Sequence, residues 1–260
     1  ILIDALVRMG VEVHLASSGS AATLLQQVFP KLPFLSLPPY KITYSKGAAQ
    51  VLHLLGQVPS VLRTIHLEHK TIHQYIEKNK FSGIISDHRY GIWDERIPSV
   101  FIGHQLALML PRRLRLFRGT VYDYHLHWLR FFDQIWIPDV EGEKSLSGGL
   151  THDFPLPTQA SFIGPLSRFM MEDIGKKNVG IDELDVLAIL SGPEPQRSLL
   201  EDKLREELQK VPGKKWLIQG KPAMTHTEEV GSLTVHAHLP AAMFREALKR
   251  ANVIISRSGY

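Results

Sequence analysis

The sequence predicts an α/β protein made of two Rossmann-like halves, each a parallel sheet with helices on its faces. Three observations carry that prediction. Short β-branched and apolar runs alternate with helical periodicity along the chain, the rhythm of strands buried between helices. The rhythm pauses at Gly164-Pro165 and restarts with new strands and helices, so the halves are taken as 1–163 and 164–260. With 260 residues, 44% hydrophobic and 22% charged, the chain has the composition of a soluble globular protein with a substantial core.

The elements follow in order. Ile3, Leu6 and Val7 have helical spacing, and Gly10 stands where a C-terminal cap belongs. Val11–Ser17 reads as a strand, Ser20 as an N-cap, Ala21–Phe29 as a helix and Phe34–Leu37 as a second strand. Ala48–Lys80 has helical periodicity with a break expected at Pro59, and it leads into the buried strand Ser82–Ser86. Ser99–Gly103 is the next strand, followed by a helical stretch through Pro111 and the strands Phe132–Ile137 and Ser161–Ile163. In the second half Val186–Leu190 is a strand and Leu199–Val211 a helix, with Leu200, Leu204, Leu208 and Val211 on one face. Strands Lys215–Gln219 and Leu233–Ala237, helix Ala241–Ala251 and strand Val253–Ser256 complete the half. Opening within a helix and closing as a turn begins, the sequence reads as a piece of a longer chain.

Composition narrows the function. There is no apolar run of the roughly 18 residues that a spanning helix needs and no secretory leader, so a cytoplasmic protein is expected. The absence of cysteine excludes disulfides and thiolate metal sites. A net charge of +4 suits anionic partners, yet the basic residues are dispersed and the aromatic ones form no base-stacking motif, so nucleic acid is not expected. His66, His69 and His73 lie at i, i+3 and i+7 of a helix, and His236 and His238 alternate on a strand. With no carboxylate at ligand spacing, no metal is expected. Leu106–Arg118 mixes apolar residues with four arginines. Its plain reading is core leucines and solvated arginines; its other reading is peripheral contact with an anionic membrane.

In open parallel sheets ligands sit beyond the carboxyl ends of the strands. Four turns stand there: Asp87-His-Arg-Tyr-Gly91, His104-Gln105, Ser191–Arg197 and Ser256-Arg-Ser-Gly259. The third opens an amphipathic helix whose first N–H groups suit an anion, although a plain strand-to-helix connection has the same residues.

Taken together and in order, these segments resemble the GT-B glycosyltransferases, and among them the bacterial transferases that add N-acetylglucosamine to lipid-linked muramyl-pentapeptide. Val100-Phe-Ile-Gly-His-Gln105 is similar to the family's strand ending in His-Glu-Gln, and Phe162-Ile-Gly-Pro-Leu-Ser-Arg168 to its Gly-Asn-Pro-Val-Arg segment. Leu190-Ser-Gly-Pro-Glu-Pro-Gln196 is similar to its Gly-Gly-Ser turn. Leu239–Phe244 and Ala251–Gly259 are similar to its Asp-Met-Ala and Cys-Arg-Ser-Gly regions.

The resemblance implies transfer of a sugar from a nucleoside-diphosphate sugar, UDP-linked, to a carbohydrate or lipid-linked acceptor, with inversion and with neither metal nor cofactor. It implies a donor site of Arg168, Ser191, Gly192, Leu239, Ser258 and Gly259, to which Gln196 and Arg197 are added as replacements for N–H donors that the turn lacks. An arginine fork and a helix N-terminus both gain value as the leaving diphosphate gains charge. Arg89 and Gln105 fall on the acceptor side, with Asp87 and His104 as acid/base candidates; the family's own base precedes Ile1. Pro193 and Pro195 stand where the family has glycine and remove N–H donors. Glu194 must turn away, meet a sugar hydroxyl or bond a backbone N–H. Two other readings are a nucleotide-sugar epimerase of the same fold and a non-catalytic nucleotide-sugar or glycan-binding module.

Overall fold

The computed structural model describes residues 1–40, 43, 50–106, 116–167, 180–192, 194–222 and 224–257. The first half runs α1 (Leu2–Arg8), β1 (Leu15–Ser17), α2 (Gly19–Val28), β2 (Phe34–Ser36), α3 (Gln50–Lys78), β3 (Ile84–Asp87) and β4 (Ser99–Ile102). It continues through α4 (Arg118–Leu129), β5 (Gln134–Ile137), α5 (Gly149–His152) and β6 (Ala160–Phe162). Strands β1 and β2 pair in parallel, and β3-β4-β5-β6 form an all-parallel sheet. Its carboxyl ends therefore share one edge.

The second half comprises β7 (Leu184–Ile189), α6 (Gln196–Lys210), β8 (Lys215–Ile218), β9 (Thr227–Val230), β10 (Leu233–His236), α7 (Ala241–Arg250) and β11 (Ala251–Ser256). Its sheet has the order β11-β7-β8-β10-β9, parallel except for β9 at the edge. The period of two along β7 builds a core on each face. Val186 and Ala188, with Leu190 just beyond, join Leu208, Leu217, Leu233 and Val235 on the α6 side. Leu187 and the partly buried Ile189, with Leu184 at the start of the strand, join Trp216, Ile218, Leu239 and Ala247 on the α7 side. At about 25 cal/mol per Å² of apolar surface, each buried Val, Leu or Ile among them contributes about 1.5–3 kcal/mol.

The first half has its own cores. Phe101, Leu106, Leu129, Phe132, Ile135 and Ile137 form one, and Leu37, Ile72 and Ile92 form another beneath α3. This is the two-unit α/β architecture that the alternating pattern predicts.

Several details depart from the sequence reading. The helix expected to break at Pro59 continues through it, with Ile65 and Ile72 buried further along the same helix. The loss of one N–H bond is outweighed by that packed face. Strand β1 begins at Leu15 rather than Val11, because the first ladder bond runs from the Leu15 N–H to the Pro33 carbonyl. Helix α2 starts at Gly19 with Ser18 as its N-cap, two residues ahead of the expected Ser20. The helical stretch through Pro111 falls largely on 107–115, outside the described residues.

Candidate functional site

Strands β7, β8, β10 and β11 end along one edge, where β7 is followed by Leu190, buried, and then by Ser191 and Gly192, both exposed. Gly192 has φ +102°, a backbone state that side-chain-bearing residues rarely adopt. The Oε2 of Glu194 accepts from the Ser198 N–H (3.2 Å) and hydroxyl (2.7 Å), while its Oε1 accepts from Nε of Arg197 at 2.6 Å. These bonds hold the Glu194 carboxyl below the usual carboxylate range. A carboxylate of the chain thus sits at the N-terminus of α6, the place expected for an outside anion.

Arg197 needs a correction. It is buried, and beyond Glu194 its guanidinium donates to Glu201 (2.7 Å), the Gln219 carbonyl (3.3 Å) and the Ser198 hydroxyl (2.9 Å). Its donors brace the turn from within and do not face a ligand. Burial alone would raise the Glu201 carboxyl, but hydrogen bonds from Arg197, Gln219 and Arg205 outweigh it and bring the pKa to about 2. Gln196 opens α6 with its amide oxygen buried and without a hydrogen-bond partner among the described residues. Leu239 lies in the α7-side core, so only its main chain can meet a ligand. Arg168, Ser258 and Gly259 lie outside the described residues, as does Pro193.

A residue that the sequence reading passed over stands at this edge. Arg257 follows β11 directly, is exposed, and lays Nη1 against Gly192, so that a Cβ at Gly192 would overlap it. The parallel pairing of β11 with β7, which sets Ser256 opposite Ile189, brings the two turns together. The Arg-Ser-Gly run marked the turn, but only the strand order shows which neighbour the arginine meets.

The edge of the first sheet gathers Asp87, the last residue of β3, and His88 after it, with His104 and Gln105 after β4. His88 is the one non-glycine residue with positive φ among the described residues, at +53°. Such a conformation costs about 1–2 kcal/mol. Its Nδ1 lies 3.0 Å from the Asp87 carboxylate, and its Nε2 is buried without a hydrogen-bond partner among the described residues. The His88 and His104 rings lie 4.8 Å apart. Burial, and then the neighbouring His88, lower the His104 pKa, which leaves His104 a neutral base at pH 7. Gly103 makes room for this pair: a Cβ there would meet Phe101 Cε1 at 2.6 Å and His88 Nε2 at 3.3 Å. Gln105 is exposed beside them.

Beyond β5 the buried Asp139 carboxylate accepts from the N–H groups of Val140 (2.7 Å), Leu146 (2.9 Å) and Ser147 (2.8 Å). Burial would raise its pKa, but the bonds from Ser147, Leu146 and Ser145 outweigh it and hold the carboxyl far below the usual range. Arg89 is the second correction. Its guanidinium pairs with the buried Glu68 and donates to the Ser18 hydroxyl (3.0 Å) and the Pro38 carbonyl (2.8 Å). It ties the ends of β1 and β2 to α3 and does not present its donors to an acceptor. Among the α3 histidines, His69 stacks on Trp93 at 4.1 Å, and His73 bonds Asp94 at 2.9 Å. His73, Asp94 and Glu95 bring ligand atoms within 4.8 Å of one another, yet Arg96 takes both Asp94 oxygens at 2.7 Å.

No family model and no curated protein matches the chain. Solved structures do. The chain is similar to the kitacinnamycin glycotransferase (TM-score 0.56, 16% identity), covering 98% of this chain and 70% of that one. It is similar to a UDP-N-acetylglucosamine 2-epimerase from Listeria monocytogenes (0.54, 12%; 99% and 70%). It is also similar to Arabidopsis thaliana UGT89C1 complexed with UDP (0.52, 12%; 98% and 70%). The chain spans 66–70% of the length of the solved structures that it matches. Its fold is therefore GT-B, with two Rossmann-like units.

Proposed function

We propose that this chain is the greater part of a glycosyltransferase that moves a sugar from a UDP-linked donor to an acceptor hydroxyl, with inversion and without a metal. One observation carries the reading. In a GT-B chain, the edge of the second sheet presents an exposed Ser191–Gly192 turn against an exposed arginine, Arg257, the arrangement that a diphosphate group calls for. The titles of the similar structures support the donor class, since two name glycosyltransfer or UDP and one names a UDP-sugar epimerase.

The chemistry asks for little beyond positioning. The second unit holds the donor; the acceptor hydroxyl enters along the edge of the first, where His104, neutral, and Asp87 stand ready to accept its proton. The oxygen attacks the anomeric carbon as the bond to UDP breaks, and cationic and N–H groups at the second edge hold the charge that develops on the leaving diphosphate. The acceptor is a carbohydrate or a lipid-linked carbohydrate. No described helix is long and apolar enough to cross a membrane, while Leu116 and Phe117 stand exposed beside Arg118, which suits contact with an anionic membrane face.

The test is a donor screen on the full chain by thermal shift, followed by an assay for release of nucleoside diphosphate. Stabilisation by UDP-sugars and acceptor-dependent release of UDP are expected. Failure of every nucleotide sugar to stabilise the protein would sink the proposal. Interconversion of two UDP-sugars without an acceptor would establish the epimerase reading, which the likeness to the Listeria protein favours.

A further inference from the structure

Away from both ligand edges, the loop between β3 and β4 lays two carboxylates against α3. Asp94 stands near the amino end of β4, where its N–H donates to the Ser99 hydroxyl at 3.2 Å. His73 of α3 meets it there, and each of His73, Asp94 and Glu95 brings a ligand atom within 4.8 Å of the other two. Spacing along the helix conceals this set, because Asp94 lies 21 residues beyond the histidine.

We propose that His73, Asp94 and Glu95 bind a divalent first-row cation, zinc being the probe, and that Arg96 is the plug such an ion displaces. The donor set comes first. One imidazole and two carboxylates are zinc ligands, and they supply too few oxygens for calcium. Ligand atoms that share a zinc at about 2.0–2.2 Å stand about 3–3.5 Å apart, and His73 Nδ1 is already 2.9 Å from Asp94 Oδ2. Glu95 is exposed, so a side-chain rotation closes its remaining distance.

The histidine is also held as a ligand is held. Its Nδ1 has room for one partner and meets two, Asp94 Oδ2 and Arg96 Nη2, the latter at 3.2 Å. Its Nε2 lies 3.5 Å from the Glu77 carboxylate, which draws the ring proton to that side. The Nδ1 lone pair is then turned toward Asp94, with a carboxylate behind the ring, as in metal-bound histidines.

Arg96 marks where the ion sits. Its Nε and Nη2 each take an Asp94 oxygen at 2.7 Å, and Nη2 also faces His73, so positive charge already stands between the same ligand atoms. The Arg96 side chain is 40% exposed and can swing into water, and the incoming cation replaces its charge on the buried Asp94. The ion has no part in sugar transfer and does not depend on the donor reading. It lies at the opposite end of the strands from His88 and His104, and it fastens α3 to the β3–β4 loop.

The full chain, stripped of metal, is titrated with zinc by competition against a chromophoric chelator. Wild type is expected to bind saturably; His73→Gln and Glu95→Gln each weaken binding about 100-fold, and Glu77→Gln, which loses only the orienting contact, about 10-fold. Arg96→Gln, which removes the plug and keeps every ligand, is expected to tighten it about 10-fold. At a fixed zinc concentration its unfolding midpoint then rises more than that of wild type, a result that a purely structural ion pair does not give. No saturable binding in either wild type or Arg96→Gln overturns the proposal. Binding that His73→Gln and Glu95→Gln leave within about twofold overturns it too, because the ion then sits on other histidines. Weaker binding in Arg96→Gln overturns the role of the arginine as a plug. If that variant folds only with zinc, the site is supported; if it folds with neither zinc nor magnesium, the His73→Gln and Glu95→Gln titrations decide.

Discussion

His125 enters the first core as a neutral base. Its Nδ1 donates to the Leu106 carbonyl at 3.0 Å, and its Nε2 lies 2.9 Å from the Tyr90 hydroxyl. Burial drives its pKa down to about 4, against the upward pull of the Leu106 carbonyl, and pushes the Tyr90 hydroxyl up to about 12 so that it stays a donor. The folded pKa lies below the unfolded value of about 6.5, so this contribution to stability is complete above pH 6.5 and is lost as the pH falls through 4. Over that window the first unit should lose about 3 kcal/mol. Urea unfolding of wild type and His125→Gln at pH 7.5, 5.5 and 4.5 measures it; curves that fall in parallel would show that another group is responsible. Such a residue is poorly legible in a sequence, because a polar letter interrupts the apolar pattern of α4. Tyr122, His125 and Leu129 are spaced as one helical face, but the face is visible only when the histidine is counted as core. His88 was hidden for another reason: a left-handed backbone at a histidine has no compositional sign, although its place in the Asp87–Arg89 turn was plain.

At the scale of elements, the parallel strands of the second sheet were read to within two residues, because each carries a short run rich in apolar and β-branched residues of the kind a buried parallel strand requires. Strand β9 was not, since Thr-Glu-Glu-Val has the polar composition of an exposed edge and pairs only because β10 offers it a partner. The start of α6 was misplaced by three residues, and the reason bears on function. Leu199 is the first apolar position, whereas the helix begins at Gln196 because Glu194 reaches forward to its free N–H groups. A carboxylate there stabilises the helix and opposes an incoming phosphate. Glu194→Gln should therefore lower the unfolding midpoint slightly while tightening pyrophosphate binding by roughly two- to fivefold, the size of one charge at a helix end. Paired thermal unfolding and calorimetric titration read both effects. Weaker pyrophosphate binding in the variant would mean that Glu194 orders the turn for the ligand instead of competing with it.

For the whole molecule, the two-unit pattern was legible because alternation of strand and helix is a property of the entire chain, while the pairing of distant strands that places Arg257 against Gly192 is not a local property. Among the described residues, no core cluster draws on both sides of the 164–180 segment. Separate cores imply separate cooperativity. The tryptophans divide accordingly: Trp93, Trp128 and Trp136 belong to the first unit and Trp216 to the second. Unfolding of a Trp216→Phe variant by fluorescence then reports the first unit, and replacing the other three by Phe reports the second. A ligand that binds only the folded second unit stabilises it by about 2.7 kcal/mol at a concentration of 100 times its Kd. UDP at that level should raise the Trp216 transition by several degrees and leave the transition of the other three tryptophans in place. If both transitions rise together, the units unfold as one body and the donor contacts must be shared between the sheets; if only the first rises, the nucleotide sits at the edge of β3–β6 and the roles of the two edges are reversed.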